Sequence, residues 1–261
     1  MGKKVILTLV DGMRPDGMLA CGHPFVQKLI SLSAADLSAQ TVYPSVTLPC
    51  HVSLFHSVTP DRHGTLTNTF VPMARPVEGL VERLDAAGKQ CAMFYTWEEL
   101  RDLVLPGHMY RSFCCNVDRI DGSDAEVTDV ALKYLKTDPL DFIFLYLGYT
   151  DHAGHDYGWM GEEYMAAIRG AFDCIERVHA ALDEDTTLIV TADHGGHGRN
   201  HGENVPEDMT IPILCCGRDF APGSKLQGTS ILDIAPTITD LLGAAPAKEW
   251  EGHSLLGAAK R

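Results

Sequence analysis

Val5-Ile6-Leu7-Thr8-Leu9-Val10-Asp11-Gly12 is a short, apolar, β-branched run that stops at an aspartate and a glycine. Apolar throughout rather than alternating, it reads as a parallel strand buried on both faces. The pattern returns twice. Phe142-Ile143-Phe144-Leu145-Tyr146-Leu147 leads to Asp151, and Leu188-Ile189-Val190-Thr191-Ala192 ends in Asp193. In an α/β sheet the carboxyl ends of neighbouring strands meet in one crevice, where ligands bind. Histidines follow the aspartates: His155 lies one helical turn's length after Asp151, His194 directly follows Asp193, and His201 lies a short loop beyond. Three carboxylates and three imidazoles gathered there would repel one another or lie poorly solvated unless cations hold them together. The arrangement reads as a two-metal hydrolytic site.

Working outward, the spacing predicts helices over 24–34, from Thr47 to about Ser57, over Leu80–Ala87 with Gly88 as its stop, and over 125–135, 162–182 and 231–242. Ser45 or Thr47 is expected to cap the second of these, with Pro49 in its first turn. Further strand patterns span 91–95, 142–149, 188–192 and 211–216. Strands alternating with helices imply an α/β fold: a doubly wound, mainly parallel central sheet with helices on both faces. With no repeat, low-complexity tract or linker, residues 1–261 are expected to form one catalytic domain. The loops near 58–79 and 96–123 would add a small cap.

The chain has 261 residues, with Lys+Arg 21 against Asp+Glu 35 and a formal net charge of -14. That balance argues against long nucleic acids as partners, which need a basic surface. A small phosphate ester or phosphonate stays open as substrate, because metal ions reverse the local field. The 8 cysteines include no C-x-x-C pair, and two sets are adjacent, unlike a disulfide framework. Without a charged leader and long apolar core at the start, or an apolar run of ~18 residues, a reduced cytoplasmic protein with no membrane span is the expectation. Oligomeric state is not legible in the sequence.

Thr47, as a helix-start hydroxyl, faces unpaired backbone N–H groups and the positive end of the helix dipole, which favour an anion. A threonine is a poor nucleophile unless a base or metal lowers its pKa, and a plain N-cap is the alternative role. Asp151-His152-Ala153-Gly154-His155 places an oxygen and a nitrogen ligand together, as suits zinc. His152 competes with His155 for that place. In Asp193-His194-Gly195-Gly196-His197-Gly198-Arg199-Asn200-His201 the two glycines let the backbone turn sharply. Spacing does not decide between His197 and His201.

These residues resemble the alkaline phosphatase superfamily, and within it the nucleotide pyrophosphatase/phosphodiesterase branch. Val42-Tyr43-Pro44-Ser45-Val46-Thr47-Leu48-Pro49-Cys50-His51 is similar to that branch's nucleophile motif. Thr59-Pro60-Asp61-Arg62-His63-Gly64, Asp11-Gly12-Met13-Arg14, Asp233-Ile234-Ala235-Pro236 and Glu251-Gly252-His253 fit superfamily patterns too. The resemblance implies Thr47 as nucleophile and Asn68 as a hydrogen-bond donor to a phosphoryl oxygen. It implies that Asp11, Thr47, Asp193 and His194 hold one divalent ion and Asp151, His155 and His201 the other. It is this resemblance that prefers His201 to His197. Zinc is expected, with manganese the alternative, since carboxylate-rich sites accept either. Two departures stand out: the family's long insertion before the last histidine is missing, and Cys50 replaces the usual asparagine.

The implied activity is cleavage of a small phosphodiester or phosphoanhydride through a phosphothreonine. Three carboxylates against two divalent ions leave roughly one positive charge, which a Thr47 alkoxide cancels; such a site suits a singly charged diester. Hydrolysis of phosphonoacetate-type phosphonates or phosphomonoesters is the alternative, and a non-catalytic metal-binding protein is a third reading. A sulfatase is disfavoured, because Thr47-Leu48-Pro49-Cys50-His51 lacks the C/S-x-P-x-R arginine. Arg14, Arg62 and Arg199 are candidate substrate contacts. Met13, Phe70, Tyr95, Trp97, Tyr149, Tyr157 and Trp159 are candidate stacking residues.

Overall fold

β1 (Lys4–Val10) lies between β5 (Phe142–Leu147) and β6 (Thr186–Thr191) and is parallel to both. Val10 sits opposite Leu147 and Leu9 opposite Thr191, so the chain leaves all three strands at one edge of the sheet. Every residue of β5 and β6 is buried, which is why neither strand alternates between apolar and charged residues. This computed structural model describes residues 2–258; the ends of the expected domain, residues 1 and 259–261, lie outside the described residues.

The full sheet has seven strands in the order β2-β7-β6-β1-β5-β3-β4, where β2 is Ala34–Gln40, β3 is Cys91–Tyr95, β4 is Arg111–Cys114 and β7 is Thr210–Cys216. β3, β4 and β5 continue the parallel set, whereas β7 runs antiparallel to β6, and β2 antiparallel to β7. The Pro24–Leu32, Ser123–Thr137 and Glu162–Ala180 helices pack on one face. The Thr47–His56, Leu80–Ala86 and Ile234–Leu242 helices pack on the other. The mainly parallel, doubly wound sheet is therefore the observed architecture.

Local differences from the sequence reading have local causes. The predicted 142–149 strand stops at Leu147, and a helix, Tyr149–Tyr157, starts almost at once. Asp124 accepts hydrogen bonds from the Gly148 and Tyr149 N–H groups at 3.0 and 3.3 Å and so holds that helix start. The predicted 24–34 helix ends at Leu32, because Ala34 already belongs to β2. Within the 96–123 loop, Arg111–Cys114 joins the sheet as its edge strand β4.

Candidate active site

Because β1, β5 and β6 end side by side, the residues that follow them converge. Asp11, Asp193 and His194 form one group and Asp151, His155 and His201 a second; within each, one ligand atom per residue lies within 4.8 Å of the others. Nε2 of His194 is 3.3 Å from Asp11 Oδ1 and 3.4 Å from Asp193 Oδ2. Nε2 of His155 is 3.5 Å from Asp151 Oδ2, and Nε2 of His201 is 3.6 Å from Asp151 Oδ1. Asp151 and His155 stand one helical turn apart on Tyr149–Tyr157, where side chains share a face. The His194 and His201 rings stack at 3.9 Å and bring the two groups together.

All three imidazoles are oriented alike. Nδ1 of His155 donates to the Arg199 carbonyl, Nδ1 of His194 to the Gly195 carbonyl and Nδ1 of His201 to the Ser45 carbonyl, at 2.9, 2.7 and 2.9 Å. Each therefore turns a lone pair on Nε2 toward the carboxylates, the tautomer a metal ligand needs. Burial and the neighbouring His194 push His201 down to about 3, which keeps that lone pair free. His197 is turned away: its Nδ1 is engaged by Asp208 Oδ1 at 2.7 Å.

The carboxylates show what such a group lacks without cations. Asp11 Oδ1, Asp151 Oδ1 and Asp193 Oδ2 are buried with no hydrogen-bond partner. Burial, then repulsion from Asp193 and Asp151, pushes the Asp11 carboxyl well above the usual range. Asp193 goes the other way: against the upward push of burial, His194, His51 and the Gly12 N–H hold it below the usual value. Unpaired buried oxygens beside oriented imidazole lone pairs fit divalent cations.

Thr47 is the first residue of the Thr47–His56 helix, and neither it nor Ser45 caps it. The N-cap is Val46, which makes no side-chain cap bond. Ser45 donates to the Glu203 carbonyl instead. The Thr47 hydroxyl points into the site, 3.2 Å from His194 Nε2. Asn68 reaches the same helix start, its Oδ1 accepting the Leu48 N–H at 3.0 Å, which leaves its amide N–H groups for another partner. Thr47, Asn68, Asp11, Asp151, His155 and His201 all line one pocket of about 170 Å³.

Sequence reasoning gave no role to three side chains. Tyr146, inside the apolar β5 run, donates its hydroxyl to Asp11 Oδ2 and lines the pocket. His51 is fully buried beneath Thr47, its Nδ1 donating to the Thr47 carbonyl at 2.8 Å. Asp124 sets the start of the helix that carries Asp151 and His155 and is pushed up to about 7 by burial. A polar residue in a buried run, such as Tyr146, and the closing position of the Val42–His51 segment were the available signals. The Gly195-Gly196 pair is explained by close approach rather than a left-handed turn. A Cβ on Gly195 would stand 2.0 Å from the Glu207 carbonyl oxygen, and one on Gly196 2.2 Å from Trp159.

The other candidates divide. Met13, Tyr95 and Trp159 belong to the core, and Phe70 lines a separate cavity. Trp97 lines the site pocket, and the exposed Tyr149 and Tyr157 line an adjoining cleft. None of Arg14, Arg62 and Arg199 lines the pocket. Arg14 is paired with Asp16 and the Gly196 carbonyl, and Arg62 donates to the Arg75 carbonyl. The eight cysteines are all free, and no described helix is long and apolar enough to cross a membrane.

A model of the metalloenzyme superfamily matches residues 115–246, half of the chain, and a model of type I phosphodiesterase / nucleotide pyrophosphatase matches residues 5–86. The chain is similar to the 2,3-bisphosphoglycerate-independent phosphoglycerate mutase of Clostridioides difficile (strain 630), 29% identical over 138 residues. That match covers 50% of this chain and 27% of the mutase, so the chain spans only about a quarter of the curated relatives it matches. In structure it is similar to murine ectonucleotide pyrophosphatase / phosphodiesterase 5, with a TM-score of 0.79 at 15% identity over 94% of this chain and 96% of that one. It is likewise similar to the phosphonate monoester hydrolase of Silicibacter pomeroyi, with a TM-score of 0.75 at 15% identity over 99% and 77%. At such identities these two likenesses speak for the fold.

Proposed function

We propose, on the premise that this chain belongs to the metalloenzyme superfamily, in the nucleotide pyrophosphatase/phosphodiesterase-like branch of the alkaline phosphatase superfamily, that it hydrolyses a small phosphodiester or phosphoanhydride through a phosphothreonine. The observation that carries this reading is the Thr47 hydroxyl. It begins a helix, yet it is turned away from capping and into a pocket beside both ligand groups.

Asp11, Thr47, Asp193 and His194 would hold one divalent ion, and Asp151, His155 and His201 the other. Bound there, the ions would supply charge neutralisation and acidify the Thr47 hydroxyl and a water. The chain itself supplies position. Thr47 Oγ attacks phosphorus, the P–O bond to one alcohol breaks, and the alcohol leaves with the proton Thr47 has lost. Water then attacks the phosphothreonine and restores Thr47. The start of the Thr47–His56 helix and the Asn68 amide N–H groups face the non-bridging oxygens, donors fixed before charge develops on them. Hydrolysis of a phosphonate or phosphomonoester at the same groups is the second reading, in keeping with the structural likeness to a phosphonate monoester hydrolase.

The test compares turnover of bis-p-nitrophenyl phosphate, p-nitrophenyl phosphate and phosphonoacetate by zinc- and manganese-loaded protein, with Thr47→Ala as control. Faster diester cleavage, lost by at least ~10³-fold in Thr47→Ala, and a phosphorylated Thr47 in rapidly quenched protein support the proposal. Preference for the monoester or phosphonate moves the substrate class. Turnover that survives Thr47→Ala removes the nucleophile, and metal binding without any turnover supports a non-catalytic protein.

A further inference from the structure

Behind the helix that Thr47 begins lies a second cavity, of about 560 Å³, which shares no lining residue with the Thr47 pocket. Val52 and His56 of that helix form one wall, and Glu82 and Ala86 of the Leu80–Ala86 helix form another. The loop 65–77, with Leu103 and Leu105, encloses the rest. This lining is chiefly apolar, and Phe70, Val71 and Leu105 are exposed, so the apolar surface continues out to solvent. Pockets for small organic ligands have this character and span roughly 300–1,000 Å³. An occupant would touch both the helix that Thr47 begins and the loop that carries Asn68.

Two acceptors face this apolar space without a donor. Glu82 is only 8% exposed; its Oε1 accepts the Leu105 N–H at 3.0 Å, and its Oε2 makes no hydrogen bond among the described residues. His56 Nδ1 donates to the Val52 carbonyl at 3.1 Å, which leaves the lone pair of Nε2 without a partner. Burial pushes this imidazole down, toward the neutral form that keeps the lone pair. A Cβ on Gly79 would stand 2.6 Å from Glu82 Oε2 and 3.0 Å from His56 Nε2, so the two acceptors lie side by side next to the glycine. The other carboxylates of the lining have cationic neighbours: Asp85 meets His108 at 2.7 Å, Glu78 meets Arg83 at 2.9 Å, and Asp102 lies 3.9 Å from Arg101. No arginine or lysine lines the cavity itself. Buried acceptors left unpaired cost free energy, and a primary ammonium has donors enough for both. We propose that this cavity binds a small apolar primary amine, its ammonium donating to Glu82 Oε2 and His56 Nε2 and its alkyl or aryl body lying against Val52, Phe70, Met73 and Leu105. An anion is repelled by Glu82, and a wholly apolar molecule leaves both acceptors unpaired. The site uses no residue of the Thr47 pocket and stands apart from the hydrolase reading.

Calorimetric titrations of the metal-loaded protein with 2-phenylethylamine, 2-phenylethanol and 3-phenylpropionate test it. The amine should bind saturably and about tenfold more tightly than the alcohol, because a charge-assisted hydrogen bond is roughly twice as strong as a neutral one. The carboxylate should not bind. In Glu82→Gln, whose side-chain carbonyl can still accept the Leu105 N–H, the amine's advantage over the alcohol should fall toward one. Phe70→Ala, a change at an exposed wall residue, covers the case in which Glu82→Gln fails to fold. It should weaken amine and alcohol alike, by at least about threefold. No saturable binding of the amine, equal affinity for amine and alcohol, or an advantage that survives Glu82→Gln overturns the proposal. So does binding that Phe70→Ala leaves unchanged, which would place the probes elsewhere on the protein.

Discussion

The Tyr146 hydroxyl donates to Asp11 Oδ2, on the side of the carboxylate away from His194, which faces Oδ1. The two residues lie far apart in sequence, but β1 and β5 are adjacent and parallel, and Leu9 is paired with Tyr146. One hydrogen bond thus fixes the rotation of a carboxylate whose other oxygen is buried without a partner. Tyr146→Phe removes only that donor. Outer partners of metal ligands are worth roughly 10–100-fold in affinity, and a loss of that order is expected here. Competition against a zinc chelator would measure it; unchanged affinity would show that the β1–β5 packing alone holds Asp11.

Asp11→Asn should act in opposite directions with and without metal. Burial and the charges of Asp193 and Asp151 push the Asp11 carboxyl well above its usual range. A carboxyl raised on folding costs stability as pH climbs from its unfolded value of ~4 through its folded one. Above the unfolded value, in chelator, the neutral amide removes the cost that has accrued. The variant should therefore melt higher than the parent when metal-free and gain less on adding zinc. Thermal melts near pH 8, with chelator and with zinc, would decide; a metal-free variant that melts lower contradicts the repulsion.

What the sequence disclosed and what it hid follow one division. Short buried strands with an aspartate at the end are local patterns, and β1, β5 and β6 lie within a few residues of their expected positions. The edge strand Ala34–Gln40, with three alanines, an aspartate and a serine, has no such pattern, because an edge needs little apolar surface. The helix Tyr149–Tyr157 was not expected and its first residue was assigned to the preceding strand, since its start is held by Asp124 and Thr96 from elsewhere in the chain. Spacing left His197 and His201 equal; the structure separates them through Asp208, which engages His197. The partners of Tyr146, His51 and Asp124 were hidden for the same reason. Their partners come from other strands and helices, and a single sequence carries no record of that.

Asp124 gives a pH dependence separable from the metal groups. Burial pushes its carboxyl up to about 7, although two backbone N–H groups work downward. The folded protein therefore binds more protons than the unfolded chain between pH ~4 and about 7, and this residue's contribution to stability falls as pH rises through that window. Asp124→Asn cannot titrate. Melting temperatures of the two metal-free proteins, plotted as a difference against pH, should change across that window and flatten above it. A flat difference throughout would place the Asp124 carboxyl at an ordinary value.

Gly196→Ala tests the packing around the Asp151, His155 and His201 group. Its new Cβ would lie 2.2 Å from the Trp159 ring, which also faces Gly154. That ring meets His155 edge-on at 5.1 Å, and its Nε1 donates to the Gly12 carbonyl at 3.0 Å, next to Asp11. A buried indole wedged between two glycines cannot move without carrying these contacts along. Overpacking of this kind costs about 1–3 kcal/mol, and zinc affinity should fall with it although no ligand has been changed. Gly170→Ala is the control. It lies in the Glu162–Ala180 helix with nothing within 4 Å of an added Cβ, so it should be neutral or stabilising by up to ~1 kcal/mol. Denaturant melts and zinc titrations of the two variants, side by side, would separate the outcomes. Equal behaviour would mean that Trp159 yields without disturbing His155 or Gly12.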